Sequence, residues 1–307
     1  METEIRTAPT VTAPATPLAP DPEQNRERSM KLPWFSLLSL SWLLTGCLAP
    51  ADDDDSGPTD DDDSVGCAVD ASGGTGGATG SSWVTVSGWS TDDATNSPDY
   101  EVLVYRPATL SGPAPLAILT ANPVPADRGQ IEQITYEFIG SGLDAWAEAH
   151  DYVFAFPVGG GGSGGGLAFS PGEDDAYMGS AIDAVAGSFD IDRNSIHLFG
   201  RSGGGRLAIQ LSQAHSTRIA SIMSLAGPQP FPDWESGTPE WERPVDGLFI
   251  HDENDPVVGR ATVLDTVTMF ESLGAEVETF FDYTGGHDWD ADQVEPRMAS
   301  FFDRTCL

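Results

Sequence analysis

Hydrophobic residues from position 83 onward alternate between two spacings along the chain. Short apolar runs of strand length are separated by segments in which apolar residues recur every three or four positions, the spacing of one helix face. This alternation predicts an α/β domain: a mostly parallel eight-stranded sheet with helices on both faces and ligands at the carboxyl ends of the strands. The predicted strands are 83–89, 100–106, 115–120, 152–157, 195–199, 219–225, 247–251 and 276–283.

Two segments between the later strands show the helical spacing most clearly. One places Met178, Ile182, Val185 and Phe189 on a single face, and the other does the same with Val263, Val267, Phe270 and Leu273. Gly274 follows the second segment and is typical of a helix end. Residues 83–307 are enough for one domain with a single sizeable core.

The first part of the chain carries a targeting pattern. Met30 and Lys31 precede an apolar run that is too short to cross a bilayer as a helix and that ends in Leu44-Thr45-Gly46-Cys47. Residues 30–47 are therefore predicted to be a bacterial lipoprotein signal with Cys47 as the lipidated residue. We expect the protein outside the cytoplasm, in the outer membrane or at the cell surface, with the lipid as its only membrane contact. Residues 1–29 are interpreted as a non-native extension upstream of the true start at Met30, with a genuine amino-terminal extension as the alternative.

Residues 48–82 are predicted to form a disordered tether. Two runs of aspartate, 52–55 and 60–63, repel one another, and the glycine and serine residues after them offer nothing apolar to pack. A calcium site is the alternative for the aspartates. Calcium loops, however, alternate carboxylates with other residues and include a turn glycine, so no metal site is predicted.

Charge and cysteine content narrow the choice of partners and compartment. The formal net charge of −34 at pH 7 argues against nucleic acid or an anionic membrane surface as a partner. With Cys47 assigned to the lipid, Cys67 and Cys306 are the remaining cysteines of the three. An exported protein meets an oxidising compartment, so a Cys67–Cys306 disulfide is predicted.

The clearest chemical signal is the stretch Ile196–Ala208, in which an apolar strand runs into Gly200-Arg201-Ser202-Gly203-Gly204 and then into a helical pattern. A Gly-x-Ser-x-Gly sequence between a strand and a helix is typical of a nucleophile elbow. Its glycines are needed because the serine sits on a turn so sharp that neighbouring Cβ atoms would clash. Ser202 is therefore the candidate nucleophile, and the alternative is an ordinary glycine-rich turn.

Two later strands end in loops that carry a candidate acid and a candidate base. The strand 247–251 leads into an acidic loop that contains Asp255, with Asp252 and Glu253 as rivals on the same loop. The strand 276–283 leads into a glycine turn with His287 at its tip. The order serine, acid, histidine is one of the chain orders in which catalytic triads occur. His197 and His251 lie within strands and are expected to be packing residues.

Four segments together resemble the feruloyl esterase and polyhydroxybutyrate depolymerase-like esterases of the α/β-hydrolase superfamily. They are 141–157, 189–196, Asn254-Asp255-Pro256-Val257-Val258 and Gly286-His287-Asp288-Trp289. The likeness extends over about residues 81 to 304. It implies that residues 83–307 form an α/β-hydrolase catalytic domain, with Ser202 as nucleophile, Asp255 as acid and His287 as general base.

The chain departs from that family at the oxyanion hole. The family carries His-Gly after its third strand, whereas this chain has Leu119-Thr120-Ala121-Asn122-Pro123. The backbone N–H of Gly203 is the first expected donor, and Ala121 or Asn122 is the second, because proline has no N–H. Loss of one donor costs about 100- to 1000-fold in rate, so a weak or inactive enzyme is the alternative prediction.

The pocket is the least defined part of the prediction. Arg201, Trp234, Trp241 and Trp289 are candidate substrate-binding residues, with ordinary loop packing as the alternative for Trp234 and Trp241. The predicted function is a secreted, lipid-anchored serine carboxylesterase that acts on feruloyl, acetyl-xylan or polyhydroxyalkanoate-type esters without a metal or organic cofactor. A non-catalytic surface binding module and a serine peptidase of the same fold are the alternatives.

Overall fold

The computed structural model describes residues 67–87, 101–120, 142–158, 173–228 and 241–307, all within one compact unit, Asp62–Leu307. Several predicted features lie outside the described residues. They are the extension 1–29, the signal 30–47 with Cys47, residues 48–66 of the tether with both aspartate runs, the oxyanion candidates Ala121 and Asn122, and Trp234.

All eight predicted strands are present, within a few residues of their expected bounds. They are β1 (Gly80–Thr85), β2 (Glu101–Arg106), β3 (Ala114–Leu119), β4 (Val153–Val158), β5 (Ile191–Arg201), β6 (Ser221–Leu225), β7 (Asp246–Asp252) and β8 (Val277–Tyr283). They form one sheet in the order β1-β2-β4-β3-β5-β6-β7-β8. The β1–β2 and β2–β4 pairs are antiparallel. The remaining pairs, from β4 through β3, β5, β6 and β7 to β8, are parallel.

Helices of the described residues connect and cover the strands. They are α1 (Leu143–His150), α2 (Glu173–Ser188), α3 (Gly203–Ala214), α4 (Arg260–Ser272) and α5 (Ala291–Phe302). Within the part of the chain that the structure describes, no helix combines the length and apolar character needed to cross a membrane.

Alternate side chains of each strand enter two separate cores, one on each face of the sheet. On β3, Leu116 and Ile118 pack into the core that α2, α3 and α4 cover, whereas Ala117 and Leu119 pack into the core under α1 and α5. A strand points successive side chains to opposite faces, so strands that are apolar at every position must be covered on both. Burial of each large apolar side chain contributes about 1.5–3 kcal/mol to this three-layer arrangement.

The predicted tether, 48–82, extends too far toward the carboxyl terminus, because residues 67–82 contact the domain. The N–H of Ser72 donates to Ile191 O at 2.8 Å, the N–H of Gly77 donates to Ser188 O at 3.0 Å, and residues 80–82 already belong to β1. A Cβ at Gly77 would lie 2.2 Å from the ring of Phe189. The glycines that suggested a flexible linker therefore allow close packing, and residues 67–82 are part of the domain surface.

A disulfide joins the two ends of the described chain. Cys67 and Cys306 are bonded, with their Cα atoms 5.9 Å apart and a sequence separation of 239. The predicted disulfide is therefore confirmed. It holds the segment before β1 close to the residues that follow α5.

Candidate active site

Ser202 occupies a strained turn between β5 and α3. Its φ of 54° and ψ of −121° place it in the left-handed region that residues with a side chain rarely adopt. The turn is held because the N–H of Ser202 donates to Leu225 O at 2.8 Å on the neighbouring strand β6. A Cβ at Gly200 would lie 2.5 Å from the carbonyl oxygen of Thr120, so glycine is required two residues before the serine.

The hydroxyl of Ser202 is not used to cap the helix that it precedes. Serine at this position commonly accepts a hydrogen bond from an N–H of the first helical turn. Among the described residues, α3 has no such side-chain cap. Both the hydroxyl and the first N–H groups of α3, beginning with Gly203, are therefore available to a ligand, because these N–H groups have no acceptor within the helix.

Thr120 connects the end of β3 to the elbow and was not singled out in the sequence. Its hydroxyl lies 2.9 Å from Phe199 O and 2.8 Å from Gly204 O, and its N–H donates to Phe199 O at 2.8 Å. Thr120 thus ties the end of β3 to the elbow, directly before Ala121 and Asn122, which lie outside the described residues. A hydroxyl side chain suits these contacts, but the sequence does not show that β3 and β5 are neighbours.

Asp255 holds the imidazole of His287. Its Oδ2 lies 2.8 Å from His287 Nδ1, and its Oδ1 accepts hydrogen bonds from the N–H groups of Val257 at 2.7 Å and Val258 at 2.9 Å. Burial raises the pKa of this carboxyl, but the hydrogen bonds from His287 and the two N–H groups outweigh it and bring the pKa below its ordinary value. Asp255 is therefore ionised at neutral pH, and its side chain has no exposed surface.

Asp252, the rival acid, holds the backbone of the histidine loop and not the imidazole. Its Oδ2 accepts the N–H of Gly286 at 2.7 Å and its Oδ1 accepts the N–H of Asn254 at 2.7 Å. These backbone hydrogen bonds lower the pKa of the Asp252 carboxyl. The second rival, Glu253, is exposed and lies 3.8 Å from Arg260.

The histidine loop is anchored at three points. Besides the hydrogen bond to Asp252, the hydroxyl of Tyr283 donates to Asp288 O and accepts the N–H of Asp290 at 3.0 Å. Asp288 in turn lies 3.0 Å from Arg201 of the elbow. The residue before Ser202 is thus paired with the residue after His287, which brings the elbow and the histidine loop together.

Ser202 and His287 are both described residues. Their contacts do not include a direct hydrogen bond between the Ser202 hydroxyl and the His287 imidazole. Such bonds are often long or poorly aligned in substrate-free sites and tighten when substrate binds. The imidazole is 17% exposed, so it is reachable from solvent.

The candidate substrate-binding residues are placed unequally. Arg201 is only 16% exposed and is engaged with Asp288. Trp289 packs against Phe199, with ring centroids 6.0 Å apart, and so connects the histidine loop to the core under α1 and α5. Trp234 lies outside the described residues.

Trp241 is a correction to the sequence prediction. Its ring packs edge-on against Phe270, with centroids 4.7 Å apart, in the core that α4 covers. It also precedes the first residue of β7, whereas Ser202 follows the last residue of β5. Since β5 and β7 run parallel, the two residues lie at opposite edges of the sheet, and Trp241 is a packing residue.

His197 has the packing role that was expected of it. It is fully buried, its Nδ1 lies 2.8 Å from Ser221 Oγ, and its ring stacks on Phe302 with centroids 4.4 Å apart. Burial lowers the pKa of His197 to about 3, so the ring is neutral at physiological pH.

No family model matches the chain. Among curated proteins it is 26% identical over 141 residues to the "Putative esterase NocK" of Nocardia uniformis subsp. tsuyamanensis, which covers 42% of this chain and 40% of that protein. It is 23% identical over 158 residues to the bifunctional acetylxylan esterase/xylanase XynS20E of Neocallimastix patriciarum, covering 52% of this chain and 22% of that protein. The chain thus spans less than half the length of either relative.

Solved structures match more of the fold. A thermostable esterase superposes with a TM-score of 0.52 at 15% identity, over 71% of this chain and 62% of that one. The dienelactone hydrolase-like promiscuous phosphotriesterase P91, from metagenomic libraries, gives a TM-score of 0.52 at 14% identity, over 75% of this chain and 100% of that one. The predicted α/β-hydrolase fold is therefore confirmed.

Proposed function

We propose that the chain is a serine esterase whose triad is Ser202, His287 and Asp255. The observation that supports it best is the 2.8 Å contact between His287 Nδ1 and the buried, ionised carboxylate of Asp255. A carboxylate that accepts the Nδ1 proton leaves Nε2 unprotonated, which is the tautomer that a general base requires. Ser202 is the hydroxyl placed on a strained elbow at the same edge of the sheet.

The proposed reaction is acyl transfer through the serine. Ser202 Oγ attacks the ester carbonyl carbon while His287 Nε2 takes the hydroxyl proton and then delivers it to the leaving alcohol. The negative oxygen of the tetrahedral intermediate accepts the N–H of Gly203, with a second donor expected from Ala121 or Asn122. Water, deprotonated by His287, then hydrolyses the acyl-enzyme and restores the serine.

Carboxylic esters of acetylated or feruloylated polysaccharides, or of polyhydroxyalkanoates, are the proposed substrates. The name of XynS20E includes an acetylxylan esterase activity, which supports acetyl-xylan as the first ester to try. Arg201 is proposed to organise the site through Asp288 and not to bind a substrate carboxylate, because its guanidinium is already paired.

The proposed location is outside the cytoplasm, with a lipid on Cys47 after removal of residues 30–46. The signal pattern supports the anchor, and the Cys67–Cys306 disulfide fits an oxidising compartment. Mass spectrometry of the mature protein should find Cys47 as the lipid-modified amino terminus. Residues 30–46 still attached would contradict this assignment.

Fluorophosphonate labelling combined with ester turnover tests the catalytic proposal. The wild type should be labelled on Ser202 and should hydrolyse p-nitrophenyl acetate, and Ser202→Ala should lose both. Ser180→Ala is the matched control, because that hydroxyl bonds only within α2, to Ala176 O, among the described contacts. A wild type that takes no label and turns over no ester would favour a binding module, and faster amide than ester hydrolysis would favour a peptidase.

A further inference from the structure

A second histidine lies against the carboxylate that holds His287. His251 is the last residue but one of β7 and is completely buried. Its Nδ1 lies 3.9 Å from Asp255 Oδ2, the oxygen that accepts His287 Nδ1 at 2.8 Å. The same carboxylate oxygen therefore faces two imidazole rings, one exposed to the substrate side and one enclosed in the core.

The ring of His251 has no hydrogen-bond partner among the described residues. Neither Nδ1 nor Nε2 is bonded to any group within the part of the chain that the structure describes. Buried polar groups are almost always hydrogen-bonded, so an unpaired imidazole in a core calls for an explanation. Hydrogen bonds between nitrogen and oxygen measure about 2.7–3.2 Å, so a movement of roughly 1 Å would bring Nδ1 into contact with Asp255 Oδ2.

The charge on Asp255 decides which nitrogen of His251 carries the proton. A neutral imidazole has one N–H and one lone pair, and a lone pair on Nδ1 would point toward the negative oxygen and be repelled. A proton on Nδ1 places an N–H dipole there instead. The Nδ1–H tautomer is therefore the favoured form.

His251 stays neutral in this environment. Four charged or titratable groups face it: Asp252 and Asp255 from β7 and its loop, Arg260 from the start of α4, and His287 from the loop after β8. Burial lowers the pKa of His251, the two carboxylates raise it, and Arg260 and His287 lower it, with a net decrease. The ring thus supplies a dipole to the site without adding a second positive charge beside His287.

We propose that His251 is a positioning residue for the Asp255–His287 pair, which donates its Nδ1–H to Asp255 Oδ2 and so fixes the orientation of the carboxylate. Backbone N–H groups of Val257 and Val258 already hold Oδ1. With His251 and His287 on Oδ2, each carboxylate oxygen accepts two donors and the group cannot rotate away from His287. This inference rests on the proposed esterase function.

The tautomer can be measured without any turnover. Ring-nitrogen NMR of the wild-type protein should show His251 as a neutral Nδ1–H imidazole at pH 7. An Nε2–H tautomer, or a charged ring at that pH, would overturn the inference. Since this measurement needs no substrate, its outcome is independent of whether Ser202 hydrolyses esters.

Two substitutions separate donation from packing. His251→Phe fills the space without a donor, whereas His251→Asn places an amide N–H close to the position of Nδ1. We expect His251→Phe to lower kcat for p-nitrophenyl acetate about tenfold with little change in KM, the effect of losing one hydrogen bond to a charged group. We also expect the acid limb of its pH–rate profile to move to higher pH, because a carboxylate with one donor fewer holds an imidazolium more strongly. His251→Asn should recover most of both.

His197→Phe is the matched control, because His197 is as buried as His251 but contacts Ser221 and Phe302 instead of Asp255. It should keep the kcat and the pH profile of the wild type. Equal losses in His251→Phe and His251→Asn, or a wild-type profile in His251→Phe, would refute the positioning role. If His251→Phe does not fold, the tautomer measurement and the His251→Asn variant still test the positioning role.

Discussion

The histidine buried in β5 makes the stability of the fold depend on pH in a calculable way. His197 is fully buried against Phe302, and burial lowers its pKa to about 3, whereas a histidine in an unfolded chain has a pKa of about 6.5. Below pH 6.5 the unfolded chain binds a proton that the folded protein rejects. The stability contributed by neutral His197 is therefore fully present above pH 6.5 and is lost as the pH falls from 6.5 toward 3.

The size of this loss follows from the two pKa values. Each pH unit below 6.5 costs about 1.4 kcal/mol of unfolding free energy, until the folded protein itself takes up the proton near pH 3. At pH 5, which is about 1.5 units below the unfolded value, the loss is about 2 kcal/mol. The unfolded state alone sets this figure, because the folded pKa lies far below pH 5.

His197→Phe removes the titration while it keeps an aromatic ring beside Phe302. The hydroxyl of Ser221 keeps its hydrogen bond with Thr305 at 2.8 Å. In urea unfolding of the disulfide-bonded protein, the stability of the variant relative to the wild type should rise by about 2 kcal/mol between pH 7 and pH 5. Other groups, such as Asp246 and Glu295 with pKa values that burial raises, are common to both proteins and cancel in the difference.

Phe302→Leu is the control for loss of packing in the same core. It removes the stacking partner of His197 and should lower stability at every pH, but the dependence on pH should remain. Parallel stability curves for the wild type and His197→Phe between pH 7 and pH 5 would refute the linkage. They would mean that the folded protein accepts the proton on His197.

Two further outcomes are expected. Asp255→Asn should lower kcat on the order of 10⁴-fold, because the imidazole then takes the wrong tautomer. Asp252→Asn should lower kcat much less, because it loosens only the loop backbone. If ester kinetics show the reverse order, Asp252 is the catalytic acid. Reduction of Cys67–Cys306 should release two thiols and lower the unfolding free energy by up to about 5 kcal/mol, as expected for so long a loop. An unchanged melting temperature after reduction would contradict that estimate.

The fold was predictable because its physical cause is repeated along the chain. Strand-length apolar runs and helical spacing recur from residue 83 to the end, and every predicted strand is present. The positions on α2 that were predicted to share a face, Met178, Ile182 and Val185, are all buried in one core. The order of β3 and β4 in the sheet, by contrast, depends on crossover connections that spacing along the chain does not encode.

Two predictions that were based on amino-acid composition are wrong in the structure. Glycine and serine between 67 and 82 suggested a tether, yet Gly77 is needed so that the backbone can approach Phe189. Trp241 suggested a pocket because an aromatic side chain could line an aryl or acyl site. Its partner, Phe270, lies on a helix after the next strand, so only the folded structure shows that the two rings meet.

The acidic loop after β7 shows why chemistry alone could not choose between two carboxylates. Asp252 ends the strand in register with Asp282 and Tyr283 of β8, so its side chain reaches the backbone of Gly286 where the histidine loop begins. Asp255 lies after a turn, with its carboxylate held by N–H groups beyond it in the chain, and so reaches the imidazole.

One carboxylate thus fixes the loop, the other fixes the ring, and both have lowered pKa values because both are hydrogen-bonded as anions. A lowered pKa therefore does not distinguish the two. The atom that each carboxylate bonds does distinguish them: a backbone N–H of Gly286 for Asp252 and the imidazole Nδ1 of His287 for Asp255. In the proposed mechanism only the second contact sets the imidazole tautomer, which is why the two Asp→Asn variants should differ so widely in kcat.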